Sequence, residues 1–149
     1  MSRRLGAALF ALLPGLAHAA CLALTAQDGA PLARIASGDG TFAITYMHSV
    51  TRTPVVERYR IEDGALVEVE MRFAQHGPGL PTEADAGHRI TRDADGFVVT
   101  MARRFPSIVL RVHRDQSPTL SAGGREVDLA AWGNRAVTLA AAACGPDPR

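Results

Sequence analysis

The chain has 149 residues, with 16 basic against 15 acidic side chains for a formal charge of +1. No clustered basic face is available, which argues against nucleic acid and anionic membrane as partners. All the basic side chains are arginines, and the absence of lysine excludes Schiff-base and lysine-nucleophile chemistry.

Arg3 and Arg4, an apolar run from Leu5 to Leu13, a Pro14-Gly15 break and the ending Ala17-His18-Ala19 read as a cleavable secretory signal, residues 1–19. Cleavage after Ala19 leaves 130 residues, 20–149, the length of one β domain, and changes the formal charge to −1. Nothing downstream is apolar for long enough to span a membrane, so the expected location is the periplasm. Cys21 and Cys144 lie at opposite ends of that chain, and in an oxidising compartment their simplest use is a disulfide between the terminal strands. Closing so long a loop contributes about 4 to 5 kcal/mol in the chain-entropy model. The competing use, lipid anchoring at Cys21, has His18 where a lipoprotein signal wants Leu.

Period-two alternation dominates the rest. Strands are expected at Leu22 to Thr25, Leu32 to Ala36, Thr41 to His48, Val55 to Glu62, Ala65 to Phe73, His88 to Arg92, Phe97 to Ala102, Ile108 to Arg114, Arg125 to Leu129 and Ala136 to Ala142. Turn residues punctuate them, which predicts an all-β fold: one antiparallel sandwich or small barrel of about 8 to 10 short strands. In the fifth strand the expected inward set is Ala65, Val67, Val69, Met71 and Phe73, with Glu68, Glu70 and Arg72 outside, joined to the preceding strand by a three-residue loop Glu62-Asp63-Gly64. Glycine and proline make residues 75–87 a loop.

The stretch YMHSVTRTPVVERY, residues 46–59, sets polar groups in core-phase positions. With Ile44 facing Ile61 and Tyr46 facing Tyr59, His48 falls opposite Glu57, near Ser49 and Arg52. In the functional reading Glu57 orients or charges His48, while Arg52, Ser49 or the glycines Gly77 and Gly79 hold an anionic ligand. In the bland reading Glu57 accepts hydrogen bonds from His48 and the loop amides and clamps the hairpin end. Tyr46, Pro54, Tyr59 and Pro81 are structural. His48, Glu57, His76 and His88 have zinc-ligand chemistry but no zinc spacing, so no metal, no other cofactor and no catalytic residue is assigned. His113 reads as solvated surface, and Trp132 as a core plug rather than a stacking platform.

Tyr46, His48-Ser49-Val50, Thr53-Pro54-Val55, Glu57 and Tyr59, followed by Gly77-Pro78-Gly79-Leu80-Pro81, resemble the pattern of the domain-of-unknown-function family eighteen-fifty. Its members are small extracytoplasmic bacterial proteins often encoded beside TAXI-type TRAP transporters, the tripartite secondary transporters for organic acids and related solutes. The resemblance implies an accessory protein of solute uptake that binds a transporter subunit or a small carboxylated solute at the hairpin end. The alternatives from other classes are a small hydrolase or isomerase using a His48–Glu57 pair, and an envelope structural protein without a ligand.

Overall fold

The computed structural model describes residues 20–83 and 86–145. The secretory signal expected at 1–19 lies outside the described residues. Eleven strands occur among those described: β1 (Ala20–Ala26), β2 (Pro31–Ala36), β3 (Thr41–Met47), β4 (Pro54–Glu62), β5 (Ala65–Phe73), β6 (Arg89–Asp93), β7 (Gly96–Phe105), β8 (Ser107–Val112), β9 (Thr119–Ala122), β10 (Arg125–Asp128) and β11 (Arg135–Ala143). They form two antiparallel sheets, ordered β2-β1-β11-β8 and β10-β9-β3-β4-β5-β7-β6, and the sheets do not close into a barrel. The architecture is a β-sandwich. The ten expected strands are present with ends moved by a few residues, and β9 is the addition. Only four residues long, it completes a hairpin with β10 and docks on β3.

The main core lies between the sheets. Leu22, Leu24, Val112, Val137 and Leu139 from the smaller sheet meet Phe42, Ile44, Tyr59, Leu66 and Leu120 from the larger. Each fully buried aliphatic side chain in this set contributes about 1.5 to 3 kcal/mol relative to exposure. Phe42 and Tyr59 stack at 4.8 Å across the β3–β4 pair. Trp132, on a short 3-10 turn, is partly buried against the same core, as a plug should be.

A four-stranded sheet cannot cover a seven-stranded one, and the uncovered part needs another lid. A second cluster, Val55, Met71, Phe73, Val99 and Met101, is capped by Leu80 from the 75–83 loop. That loop therefore has a packing function before any other.

Cys21 and Cys144 are disulfide-bonded, with their Cα atoms 5.1 Å apart. The bond ties β1 to the residue just after β11, its antiparallel partner. The Cys21 sulfur is thus committed to Cys144, leaving it unavailable to a lipid anchor. No helix among the described residues is long and apolar enough to cross a membrane.

The phase of β5 departs from the expected one. Asp63 and Gly64 both take positive φ, 48° and 73°, and Glu62 pairs with Ala65. This is a two-residue turn of the primed type, whose twist suits the flanking strands better than a three-residue loop. It places Leu66 beside Ile61 on the inner face and Glu68 opposite Tyr59. A bulge at Val69 then restores the expected phase, so Met71 and Phe73 point inward as anticipated while Ala65, Val67 and Val69 do not share their face. Glu68, assigned to the solvent side by simple alternation, is 3% exposed.

Candidate functional site

The β3–β4 hairpin carries two polar clusters, not one. Its register pairs Phe42 with Tyr59, Ile44 with Glu57 and Tyr46 with Val55. Parity is as expected, so Val55, Glu57, Tyr59 and Ile61 share the inner face, but the strands are offset from the expected pairing. Glu57 stands opposite Ile44 instead of His48, and the two make no hydrogen bond with each other. The acid–base dyad of a hydrolase or isomerase is not assembled.

His48 is the centre of the first cluster, at the hairpin end. Its Nδ1 accepts from the backbone amides of Val50 and Thr51, at 3.2 and 3.1 Å. That fixes the tautomer: the other nitrogen, Nε2, donates to the carbonyl of Pro78 at 3.1 Å. The backbone completes the turn, His48 N donating to Thr53 O and Arg52 N to His48 O. Thr51 and Thr53 join hydroxyls at 2.9 Å. Gly77 lies flat against the imidazole; a Cβ there would sit 2.7 Å from His48 Cε1 and 2.9 Å from Thr51 Cγ2. Pro78 and Gly79 then occupy the two central positions of a turn closed by Leu80 N to Gly77 O, with Gly79 at φ +86°, the conformation that position requires. So His48 holds the 48–53 turn and the 77–80 turn as one unit, and that unit delivers Leu80 to the second core.

The expected binding residues divide accordingly. Gly77 and Gly79 serve packing and turn geometry, Pro54 opens β4, and Pro81 follows the Leu80 turn. Ser49, Val50 and Arg52 face solvent, with Val50 65% exposed and Arg52 held at φ +55°. His76 lies against Phe97, their ring centroids 4.0 Å apart. Among the described residues no three His, Cys, Asp or Glu side chains are gathered as metal ligands would be.

Glu57 is the centre of the second cluster. Tyr46 Oη donates to its Oε1 at 3.0 Å and Tyr59 Oη to its Oε2 at 2.6 Å. Glu68 lies behind it on β5. Its Oε2 is 3.5 Å from an Arg103 nitrogen, and its Oε1 is buried without a hydrogen-bond partner. Burial first, and the charge of Glu57 second, push the Glu68 carboxyl up to about 7, against a smaller opposing effect from Arg103. The same two causes, burial and then the Glu57 charge, raise both phenols, so each stays a donor. On the outer face of β5 the behaviour is ordinary: burial opposes ionisation of Glu70, but hydrogen bonds from Arg72 and Arg58 hold it below the usual carboxylate range.

Sequence reasoning missed Glu68. The available signal was the Asp63-Gly64 dipeptide, whose preference for a two-residue turn reverses the phase of β5.

Beside the second cluster, between the edge strand β8 and the β3–β4 pair, is a cavity of about 180 Å³ lined by Ile44, Tyr46, Glu57, Val109 to Val112, Gln116 and Pro118. A broader groove of about 630 Å³ runs over the outer face of the larger sheet, past Arg58, Arg60 and Arg125.

A family model described as Domain of unknown function (DUF1850) matches residues 42–129, more than half of the chain. The chain belongs to that family. The matched region includes both polar clusters, the β5 bulge and the cavity-lining strand β8, so the DUF1850 core is the part of the sandwich that builds the candidate site. No curated protein and no solved structure matches the chain.

Proposed function

We propose that this DUF1850 protein is a periplasmic accessory component of a TRAP-type, TAXI-class uptake system, exported through the 1–19 signal, and that it docks a transporter subunit through the end of the β3–β4 hairpin. The observation carrying the docking site is the use of His48. All its ring hydrogen bonding is directed to backbone groups of two turns, which leaves it no free nitrogen for acid–base work and makes the turn it supports rigid. A rigid, exposed turn presenting Ser49, Val50 and Arg52 loses little entropy on binding. The disulfide supports an extracytoplasmic location.

The test is crosslinked recovery of the tagged, disulfide-bonded protein from periplasm and membrane of its native cell. Val50→Asp and Arg52→Glu lie in solvent and leave the fold intact. Specific recovery of a TRAP-type subunit, weakened roughly tenfold by either variant, is the expected outcome. Equal recovery with both variants would remove the hairpin end as the docking site. Recovery of no transporter subunit with folded bait would sink the transport association and favour a structural envelope role.

A further inference from the structure

We infer that the free edge of β8 takes an extended acidic peptide as an added strand, with a carboxylate side chain across from Arg111 and an apolar one across from Val109. This surface is separate from the docking turn, and the inference stands or falls independently of the transport reading.

Two open sheets leave four edge strands, and three of them are guarded. β2 opens on Pro31 and has a register break in its pairing with β1. β6 is short and carries Arg89, Arg92 and Asp93, and β10 is shorter still and carries Arg125, Glu126 and Asp128. Short, charged, bulged or proline-bearing edges resist pairing with another chain. β8 has neither proline nor bulge, and its one charge is Arg111. On the side away from β11, its peptide groups have no hydrogen-bond partner among the described residues.

The side chains of β8 show the same incompleteness. Strand alternation turns Ile108, Leu110 and Val112 toward the core and Ser107, Val109 and Arg111 outward. Val109 is 61% exposed. Ile108 and Leu110 are only partly buried, although their partners on β11, Leu139 and Val137, are fully covered. The missing cover lies on the free side of β8, where an added strand would supply it. Beside that edge is the cavity of about 180 Å³ that Leu110 shares with Ile44, Tyr46 and Glu57. At about six waters' share of the liquid, it has room for one inward side chain.

Charge selects the occupant. The strands of the smaller sheet carry Arg34, Arg111 and Arg135, and no aspartate or glutamate. The larger sheet balances its own arginines: Arg58 and Arg72 pair with Glu70, and Arg60 with Glu62. Arg111 and Arg135 are exposed, and neither guanidinium has an ionic partner among the described residues. A second copy of the chain, pairing β8 to β8, would add arginines and no acid. An incoming strand with a carboxylate across from Arg111 supplies the missing charge, because opposite charges attract across a ladder. The inward positions of that strand exclude acids, since an inward carboxylate would meet Glu57. A hydroxyl there can donate to the acceptor sites that Tyr46 and Tyr59 leave open on Glu57.

The test is an NMR titration of the disulfide-intact protein with end-blocked peptides that carry threonine at alternate positions and valine and glutamate in turn between them. Saturable shifts of the Val109, Leu110 and Arg111 amides, with slowed hydrogen exchange along β8, are the expected result. Replacing the glutamates with lysine should weaken binding roughly tenfold or more, and Arg111→Glu should reverse that order. Two N-methylated forms, one for each row of peptide amides, separate strand addition from simple charge attraction: one of the two should fail to bind. The absence of saturable shifts with the glutamate peptide would overturn the inference. So would equal binding of the glutamate and lysine peptides, or undiminished binding of both N-methylated forms. Protection of β8 that grows with protein concentration in the absence of peptide would also overturn it, by giving the edge to a second copy.

Discussion

His48 and Glu68 are both buried polar side chains, 7% and 3% exposed, yet their surroundings treat them in opposite ways. Two backbone donors and one backbone acceptor complete the hydrogen bonding of His48. Among the described residues one oxygen of Glu68 has no hydrogen-bond partner, and the other is 3.5 Å from an Arg103 nitrogen. Burial of a polar group costs free energy unless its bonds are replaced, so the first is a stabilising clamp and the second a standing cost. The difference teaches where to look for function: a buried polar group completed by backbone is part of the architecture, whereas one left incomplete is held at a cost that packing alone does not explain.

Breaking the clamp should give the largest effect. His48→Ala strands two amides and a carbonyl and opens a void under Gly77, and a loss of about 3 kcal/mol is expected in urea unfolding. A loss below about 1 kcal/mol would mean that the two turns are held by other contacts.

Relieving the strained acid should act in the opposite direction. The Glu68 carboxyl titrates near 7 when folded against an ordinary 4.5. Between those values the native state binds more protons than the unfolded state, so this group makes stability fall as pH rises through the window, and the loss is complete above it. Each unit of displacement is worth about 1.4 kcal/mol, and solvent screening trims the total to about 2 kcal/mol. Glu68→Gln should therefore be more stable than the parent by about 2 kcal/mol at pH 8 and show no gain at pH 4. A pH-independent difference between the two proteins would show that the carboxyl is not the source.

The smallest of these effects tests the fit between turns. Gly77→Ala pushes a methyl group into the His48 ring and Thr51, and should cost about 1 to 2 kcal/mol. In the His48→Ala background the same change should cost less, because the ring is gone and Thr51 Cγ2 is the obstruction that stays. Undiminished cost in the double variant would place the strain at Thr51 or in the backbone instead.

Much of the fold was legible because strand signals are local. Alternation at 41–47 and 54–62 marked the inner faces of β3 and β4, and the terminal cysteines indicated their own bond. Register was less accessible. Several hairpin offsets preserve the same inward set, and no local residue chooses among them, so Glu57 came to face Ile44 when His48 was expected. In β5 a two-residue turn and a bulge each shifted the phase, and together they moved Glu68 from solvent to core. The GPGL turn was visible as a loop, but its task of carrying Leu80 over the larger sheet depends on how far the smaller sheet extends.

The sequence by itself determined the all-β class, the alternating faces, the turn positions and the chemistry available at the hairpin end, because each follows from the preferences of neighbouring residues. Only the tertiary structure decided which polar groups meet. Strand offset and sheet stacking bring together residues far apart in the chain. Those long-range contacts put Glu57 between two phenols, Glu68 behind it, and the β8 edge across a small cavity in front.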